Sequence, residues 1–245
     1  MPQHNRVRDL SILAFAMTFP TVMGWLYFIV LPARADETSG VLPTVFGLAK
    51  VVQFAFPLIA AVVFYRDMLV PSRPTARGLG VGLAFGIATG AAVIGLNFAV
   101  KSANLFAGMD HKIFDWLTKL HCNTTVRYAV LAGFYAIVHS LLEEYYWRWF
   151  VFGRLRLLVP WSWAAVISGL AFMSHHVILL MHYVPDQPGY FWLAVVPLSL
   201  GVGVGGMIWA WLYQWSESLY APWASHGLVD LAIMVVGYDL LKSLL

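Results

Sequence analysis

The chain has 245 residues, of which 60% are hydrophobic and only 11% are charged. In soluble domains roughly a quarter of the residues are charged, so the composition predicts an integral membrane protein with lipid as a partner. The cell (inner) membrane is the expected location. The net charge is +3 and no basic patch indicates a nucleic-acid partner.

Seven hydrophobic runs are long enough to cross a bilayer, because a helix needs about 20 apolar residues to do so. They predict an all-α fold, a polytopic transmembrane bundle of about seven helices, in a single transmembrane domain over residues 1–245. The first run is longer than the apolar core of a signal peptide and is expected to remain as a helix. The predicted spans are Leu10–Leu31, Val41–Phe64, Leu79–Val100, Arg127–Phe152, Trp161–His182, Phe191–Trp215 and Ala221–Leu241.

Two further patterns concern packing. Between the third and fourth spans, apolar residues of the segment His111–His121 recur at steps of three and four, which predicts a short helix in the membrane interface or else a connecting loop. Glycines at four-residue spacing predict close helix packing, because small residues let helix backbones approach in lipid. They are Gly82, Gly86 and Gly90 in the third span, and Gly201 and Gly205 in the sixth.

Two adjacent carboxylates, Glu143 and Glu144, lie inside the fourth span and are followed by Arg148. A carboxylate at bilayer depth costs roughly a few kcal/mol or more and persists where it faces a bundle interior or a wet cavity. Glu144 and Arg148 are four residues apart and can pair on one face of an α-helix, while Glu143 points about 100° away. Glu143 is thus predicted to act as a base toward water.

Two histidine patterns lie in later spans. Phe172 and His176 share one helical face in the fifth span, where Phe172 offers a wall and His176 a proton carrier or ligand. In the seventh span, the Asp230 carboxylate four residues after His226 can hold that imidazole in one orientation. Together the three patterns supply a base, a group that orients water and a donor to an oxyanion, which is typical of a hydrolase.

Each pattern alone also has a structural interpretation. Glu144 with Arg148 can be a buried ion pair, and a single intramembrane histidine is usually a hydrogen-bonded packing residue. His139, four residues before Glu143, is interpreted as a structural or supporting residue. Three patterns in separate spans favour a functional site.

These motifs resemble those of the CPBP intramembrane proteases, which include CAAX prenyl endopeptidases of the Ras-converting-enzyme type and bacteriocin-processing or immunity proteins of the Abi type. The resemblance rests on Glu143-Glu144-Tyr145-Tyr146-Trp147-Arg148, Phe172-Met173-Ser174-His175-His176 and His226-Gly227-Leu228-Val229-Asp230, and it covers a core of about residues 127–243.

The resemblance implies a role for each residue. Glu143 and His176 would activate the attacking water, His226 and Asp230 would stabilise the oxyanion, and Glu144 with Arg148 would organise the site. Two features depart from the family pattern. Trp149 follows Arg148 where relatives often have glycine, and Asp230 stands where asparagine is common, so that Asp230 must be protonated to donate a hydrogen bond.

The sequence therefore predicts an intramembrane endopeptidase that hydrolyses a peptide bond of a membrane-associated or prenylated protein or peptide substrate. No cofactor is favoured, and the alternative is a divalent metal such as zinc with Glu143, His176 and His226 as candidate ligands. A competing hypothesis is a catalytically silent immunity or scaffold protein with the same fold. A third, a proton-coupled transporter, lacks the paired repeats expected of many transporters.

Overall fold

The computed structural model describes residues 6–31, 41–69, 73–101, 108–184 and 187–245, with the side chains of residues 41–43 left out. Regular structure in these ranges is helical throughout, which confirms the all-α prediction. Within these ranges, seven helices are long and apolar enough to cross a membrane, which confirms the predicted number of spans. The protein is an integral membrane protein.

The helices begin and end within a few residues of the predicted spans, because flanking polar turns extend the apolar cores. Thr124, for example, caps the fourth span: its side-chain oxygen accepts from the backbone N–H of Arg127 at 3.5 Å. The helices are α1 (Arg6–Val30), α2 (Val41–Phe64), α3 (Ala76–Lys101), α4 (Met109–Lys119), α5 (Thr125–Leu155), α6 (Trp161–Tyr183), α7 (Phe191–Ser216) and α8 (Tyr220–Leu241).

Helix α5 changes its winding on both sides of the carboxylate pair. Tyr135–His139 and Tyr145–Phe152 are π-helical, and the α-helical turn Ser140–Glu144 lies between them. A π-helix bonds residue i to i+5 and is found frequently at functional sites. The prediction that Glu144 and Arg148 lie on one helical face assumed α-helical winding. The backbone is π-helical from Tyr145 onwards.

The described residues group into two compact units, while the single domain over 1–245 stays a prediction. The first unit contains α1, α2, Tyr146–His182 and Val196–Ala210. Its core is aromatic, and the Tyr146 hydroxyl donates to the Ala16 carbonyl at 2.7 Å. The hydroxyls of Thr21 and Ser174 lie 2.6 Å apart. Helix α1 thus packs on the segments that carry two of the motifs.

Close packing of α7 in this unit differs from the prediction. A side chain at Gly201 would meet no described atom within 4 Å, and one at Gly205 would contact only Trp209 of its own helix. Instead a side chain at Gly203 would lie 3.1 Å from the Met173 sulfur, and one at Gly206 3.2 Å from the Gly169 Cα. The face of α7 that packs on α6 is therefore the one carrying Gly203 and Gly206.

A buried ionic network stabilises one end of the first unit. The Asp9 carboxylate, 1% exposed, accepts from the Tyr65 hydroxyl at 2.8 Å and from Arg8 at 3.0 Å. The Arg154 guanidinium lies 3.6 Å from Asp9 and 3.8 Å from the centre of the Tyr65 ring. Burial, with Asp9 adding to the effect, raises the pKa of Tyr65 to about 12, so its hydroxyl remains a donor across the physiological pH range.

The second unit contains α3, α4, Thr125–Tyr145 of α5, α8, and the two ends of α7, Phe191–Val195 and Trp211–Ser216. The predicted glycine stripe of α3 packs on α8, as expected. A side chain at Gly86 would lie 2.8 Å from the Ser225 carbonyl oxygen, and one at Gly90 3.2 Å from the Ala232 Cβ. These approaches seat α3 against the helix that carries His226.

The segment predicted as a short helix or a loop is the helix α4. Leu117 of α4 is buried in one apolar cluster with Tyr128 of α5 and Leu241 of α8. The apolar residues that recur at helical spacing include Ile113, Phe114 and Trp116, which pack against this cluster. The helical interpretation is confirmed, while a position in the membrane interface stays a prediction.

Replacing Gly82 with Ala is expected to separate α3 from α8, because the new methyl group would overlap the Ala221 carbonyl. Overpacking of this kind costs about 1–3 kcal/mol or more. Gly80→Ala is the matched control two residues away, since a methyl group there meets no described atom within 4 Å. Unfolding free energies of both variants in lipid bicelles test the prediction, and equal stability of the two would contradict it.

Candidate active site

The second unit brings together four of the residues predicted for the site. Glu143 and Glu144 come from α5, and His226 and Asp230 come from α8. Glu143 and His226 are each 3% exposed and Glu144 is fully buried. Two carboxylates and an imidazole at this depth need mutual compensation, because an isolated buried charge costs several kcal/mol.

The shortest contact in the cluster joins His226 to Glu144. The ring nitrogen Nδ1 lies 2.7 Å from the Glu144 Oε1 oxygen. Since an ionised carboxylate can only accept a hydrogen bond, Nδ1 carries the proton and donates it to Glu144. Glu144 therefore fixes the ring orientation of His226 and leaves Nε2 facing the rest of the cluster.

Two carboxylate oxygens flank this second ring nitrogen. Nε2 of His226 lies 3.6 Å from Glu143 Oε2 and 3.4 Å from Asp230 Oδ1. A proton on Nε2 would be stabilised by both carboxylate oxygens, so the three groups can share a proton. The arrangement can therefore hold a proton and release it beside the Glu143 carboxylate.

The backbone of α8 approaches the first π-helical segment of α5 closely. Gly227, next to His226, touches the Ala136 carbonyl, where any side chain would overlap the oxygen. The Trp223 indole donates to the Ile137 carbonyl at 2.9 Å. The π-helical winding makes backbone carbonyls available for such contacts. The contacts of Gly227 and Trp223 hold His226 beside Glu143 and Glu144.

His139 lies on the other side of Glu143. Its Nε2 is 3.8 Å from Glu143 Oε1, and its ring centre is 4.8 Å from that of Tyr135. The side chain is 21% exposed, in contrast to the buried His226. The i, i+4 spacing that suggested this proximity holds in the structure.

The remaining predicted residues lie in the first unit. The Arg148 guanidinium is 4.7 Å from the centre of the Phe172 ring and donates to the Gly206 carbonyl at 3.4 Å. His176 Nδ1 is 3.0 Å from the Phe172 carbonyl oxygen, and the two rings are 4.6 Å apart. Phe172 thus contacts both Arg148 and His176, as a wall residue should.

His175, a residue without a predicted role, is also held in the first unit. Its ring stacks on Trp147 with 5.7 Å between centres and an interplanar angle of 2°. It also lies 4.1 Å from the His176 ring. Adjacent positions on an α-helix point about 100° apart, which is why the sequence separated His175 from the motif face.

A metal would find suitable donors in the second unit. Of the three predicted ligands, Glu143 offers a carboxylate oxygen and His226 an imidazole nitrogen 3.6 Å away, and zinc accepts both kinds of donor. The Glu144 hydrogen bond to Nδ1 resembles the outer-shell carboxylate that commonly orients a metal-binding histidine. The same hydrogen bond also orients a histidine that acts by proton transfer.

Comparison with protein families found one domain in this chain. Residues 125–232 match the family model described as type II CAAX prenyl endopeptidase Rce1-like. The match contains α5, α6, α7 and the part of α8 that carries His226 and Asp230. Comparisons with curated proteins and with solved structures gave no significant match.

Proposed function

We propose that this chain is an intramembrane endopeptidase that cleaves a membrane-associated or prenylated protein or peptide, because residues 125–232 match the family model of Rce1-like type II CAAX prenyl endopeptidases. The observation that carries the proposal is the buried cluster of Glu143, Glu144 and His226 inside the matched residues. Such a cluster provides a base and an oriented imidazole at one place, which hydrolysis requires.

In this proposal Glu143 is the general base. It takes a proton from water, and the water oxygen attacks the carbonyl carbon of the peptide bond. The tetrahedral intermediate then collapses with cleavage of the C–N bond, and the proton passes from Glu143 to the leaving amine. His139 and His226 flank the carboxylate at 3.8 and 3.6 Å and keep its two oxygens directed.

His226 and Asp230 would stabilise the oxyanion. A proton shared beside Nε2 would supply a hydrogen-bond donor to the developing negative charge. Asp230 could therefore serve at the position where relatives commonly have asparagine. Glu144 supports this role by binding Nδ1 and by balancing the charge of a doubly protonated ring. Removal of one oxyanion donor in other hydrolases costs about 10²- to 10³-fold in kcat.

From the family resemblance we further propose that His176 acts with Glu143 on the attacking water and that Arg148, with Glu144, organises the site. The Phe172 ring between Arg148 and His176 supports this by restricting both side chains. The intramembrane location implies a substrate that reaches the enzyme from the bilayer, and the cell (inner) membrane is the proposed membrane.

The experiment that tests this function compares peptides in membranes of cells that carry either the wild type or Glu143→Gln. The proposal expects a defined set of cleaved carboxyl termini only with the wild type. A silent immunity or scaffold protein would give identical peptides and unchanged biological function in a Glu143→Gln, His176→Ala double variant.

Cleavage by the purified protein is expected to survive exhaustive chelation. The reason is that a carboxylate with oriented imidazoles supplies base and donor without a Lewis acid. The measurement is the cleavage rate before and after treatment with a strong chelator, with metal content measured in parallel. Loss of activity that added zinc restores would assign Glu143, His176 and His226 as metal ligands instead.

A further inference from the structure

A second cluster of polar side chains lies in the second unit, where α3 and α8 end. Here α3 ends at Lys101 and α8 is followed by Lys242. Both ammonium groups contact the Asp239 carboxylate, Lys101 at 2.6 Å and Lys242 at 2.8 Å. The hydrogen bond to Asp239 raises the pKa of Lys242, so that its positive charge is retained.

Beneath these charges is a cavity of about 250 Å³ between α3 and α8. Its apolar wall is formed by Ile94, Phe98, Val235 and Val236, of which Phe98 and Val235 are 67% and 49% exposed. Sites for drug-sized ligands occupy about 300–1,000 Å³. The space therefore suits a head group with the first part of an acyl chain rather than a whole lipid.

Asn97 is one of the polar residues that line this cavity, with Tyr238, Asp239 and Lys242, and it is only 5% exposed. Its amide nitrogen donates to Asp239 at 3.4 Å. Its Oδ1 oxygen is buried and has no hydrogen-bond partner in the part of the chain that the structure describes. A buried acceptor without a donor costs about 1–3 kcal/mol, so a ligand hydroxyl that donated to Oδ1 would relieve that cost.

Charge defines this ligand further. The two lysines and Asp239 together carry one net positive charge, and a phosphodiester brings one negative charge. The apolar walls lie on the side of the membrane span, and the ammonium groups lie at its end, in the order of acyl chain and phosphate in a phospholipid.

We propose that this groove binds a phospholipid of the phosphatidylglycerol type. Its phosphate contacts Lys101 and Lys242, a head-group hydroxyl donates to Asn97 Oδ1, and an acyl chain lies along Phe98 and Val235. Phosphatidylethanolamine offers a donor without net charge, and phosphatidylcholine offers neither, so both bind more weakly.

Native mass spectrometry of the purified full chain with an equimolar mixture of these three lipids tests the proposal. We expect phosphatidylglycerol adducts to dominate. Lys101→Gln and Lys242→Gln should each weaken its binding about fivefold, because a lysine near a lipid surface contributes about that factor. Lys119→Gln, an exposed lysine on α4, is the matched control and should bind as the wild type.

A separate binding experiment tests the role of Asn97. Asn97→Leu should remove the preference for phosphatidylglycerol over an analogue with methylated head-group hydroxyls. Equal binding of the three lipids, or lysine variants that bind like the wild type, would overturn the proposal and leave only non-specific lipid contact. The lysine side chains are 51% and 58% exposed, so these variants test binding even if Asn97→Leu fails to fold.

Discussion

Replacing Glu143 with Gln is expected to lower the rate of peptide cleavage by about 10²- to 10⁴-fold, which is the usual contribution of a general base. Glutamine keeps the size of the side chain but cannot take a proton from water. The measurement is kcat and KM of the purified protein in proteoliposomes, with a substrate found by the membrane-peptide comparison. The loss should fall on kcat and leave KM nearly unchanged.

The matched control is Glu217→Gln, which removes an exposed carboxylate after the end of α7 and should leave cleavage unchanged. His176→Ala extends the test to the first unit. If His176 and Glu143 act on the same water, the double variant should be little slower than the slower single variant. Losses that multiply would separate His176 from the water-activating step.

Replacing His226 with Ala is expected to reduce both stability and activity. Glu144 is fully buried and would lose the Nδ1–H donor at 2.7 Å. Breaking a buried pair in this way costs about 3–5 kcal/mol. Glu144→Gln should cost less, because the amide oxygen still accepts from Nδ1, although the imidazole loses its balancing charge. Unfolding free energy in bicelles, with cleavage rates alongside, distinguishes the two effects.

His111→Ala provides the control for this series. The His111 side chain is 74% exposed, so its removal should change the unfolding free energy by no more than about 0.5 kcal/mol. A His226→Ala variant as stable as His111→Ala would mean that the Glu144 carboxylate has another donor of equal strength.

The fold was predictable to the extent that hydropathy decides it. The seven spans follow from the length of apolar runs, because a bilayer imposes one length on all of them. The α3 stripe was also correctly interpreted, since Gly86 and Gly90 recur on one face. The α7 stripe was not, because spacing alone cannot tell whether the face of Gly201 or that of Gly203 meets a neighbour. The π-helical segment Tyr135–His139 contacts α8 through the carbonyls of Ala136 and Ile137, which no local pattern reveals.

The site shows the same division between local and distant contacts. The sequence paired His226 with Asp230 and Glu144 with Arg148, since residues four apart can meet on one helix. The hydrogen bond from His226 to Glu144 joins residues 82 positions apart. It depends on Gly227 and Ala136 touching, and a single sequence contains no signal for that contact.

The proposed function depends most on hydrolysis of a peptide bond at Glu143. Its most direct test is cleavage of a membrane-anchored substrate by the purified protein in water enriched in ¹⁸O, with the products weighed by mass spectrometry. We predict one ¹⁸O atom in the new carboxyl terminus with the wild type and no product with Glu143→Gln. Labelled product at the same rate from Glu143→Gln, or none from a well-folded wild type on any membrane substrate, would contradict the account.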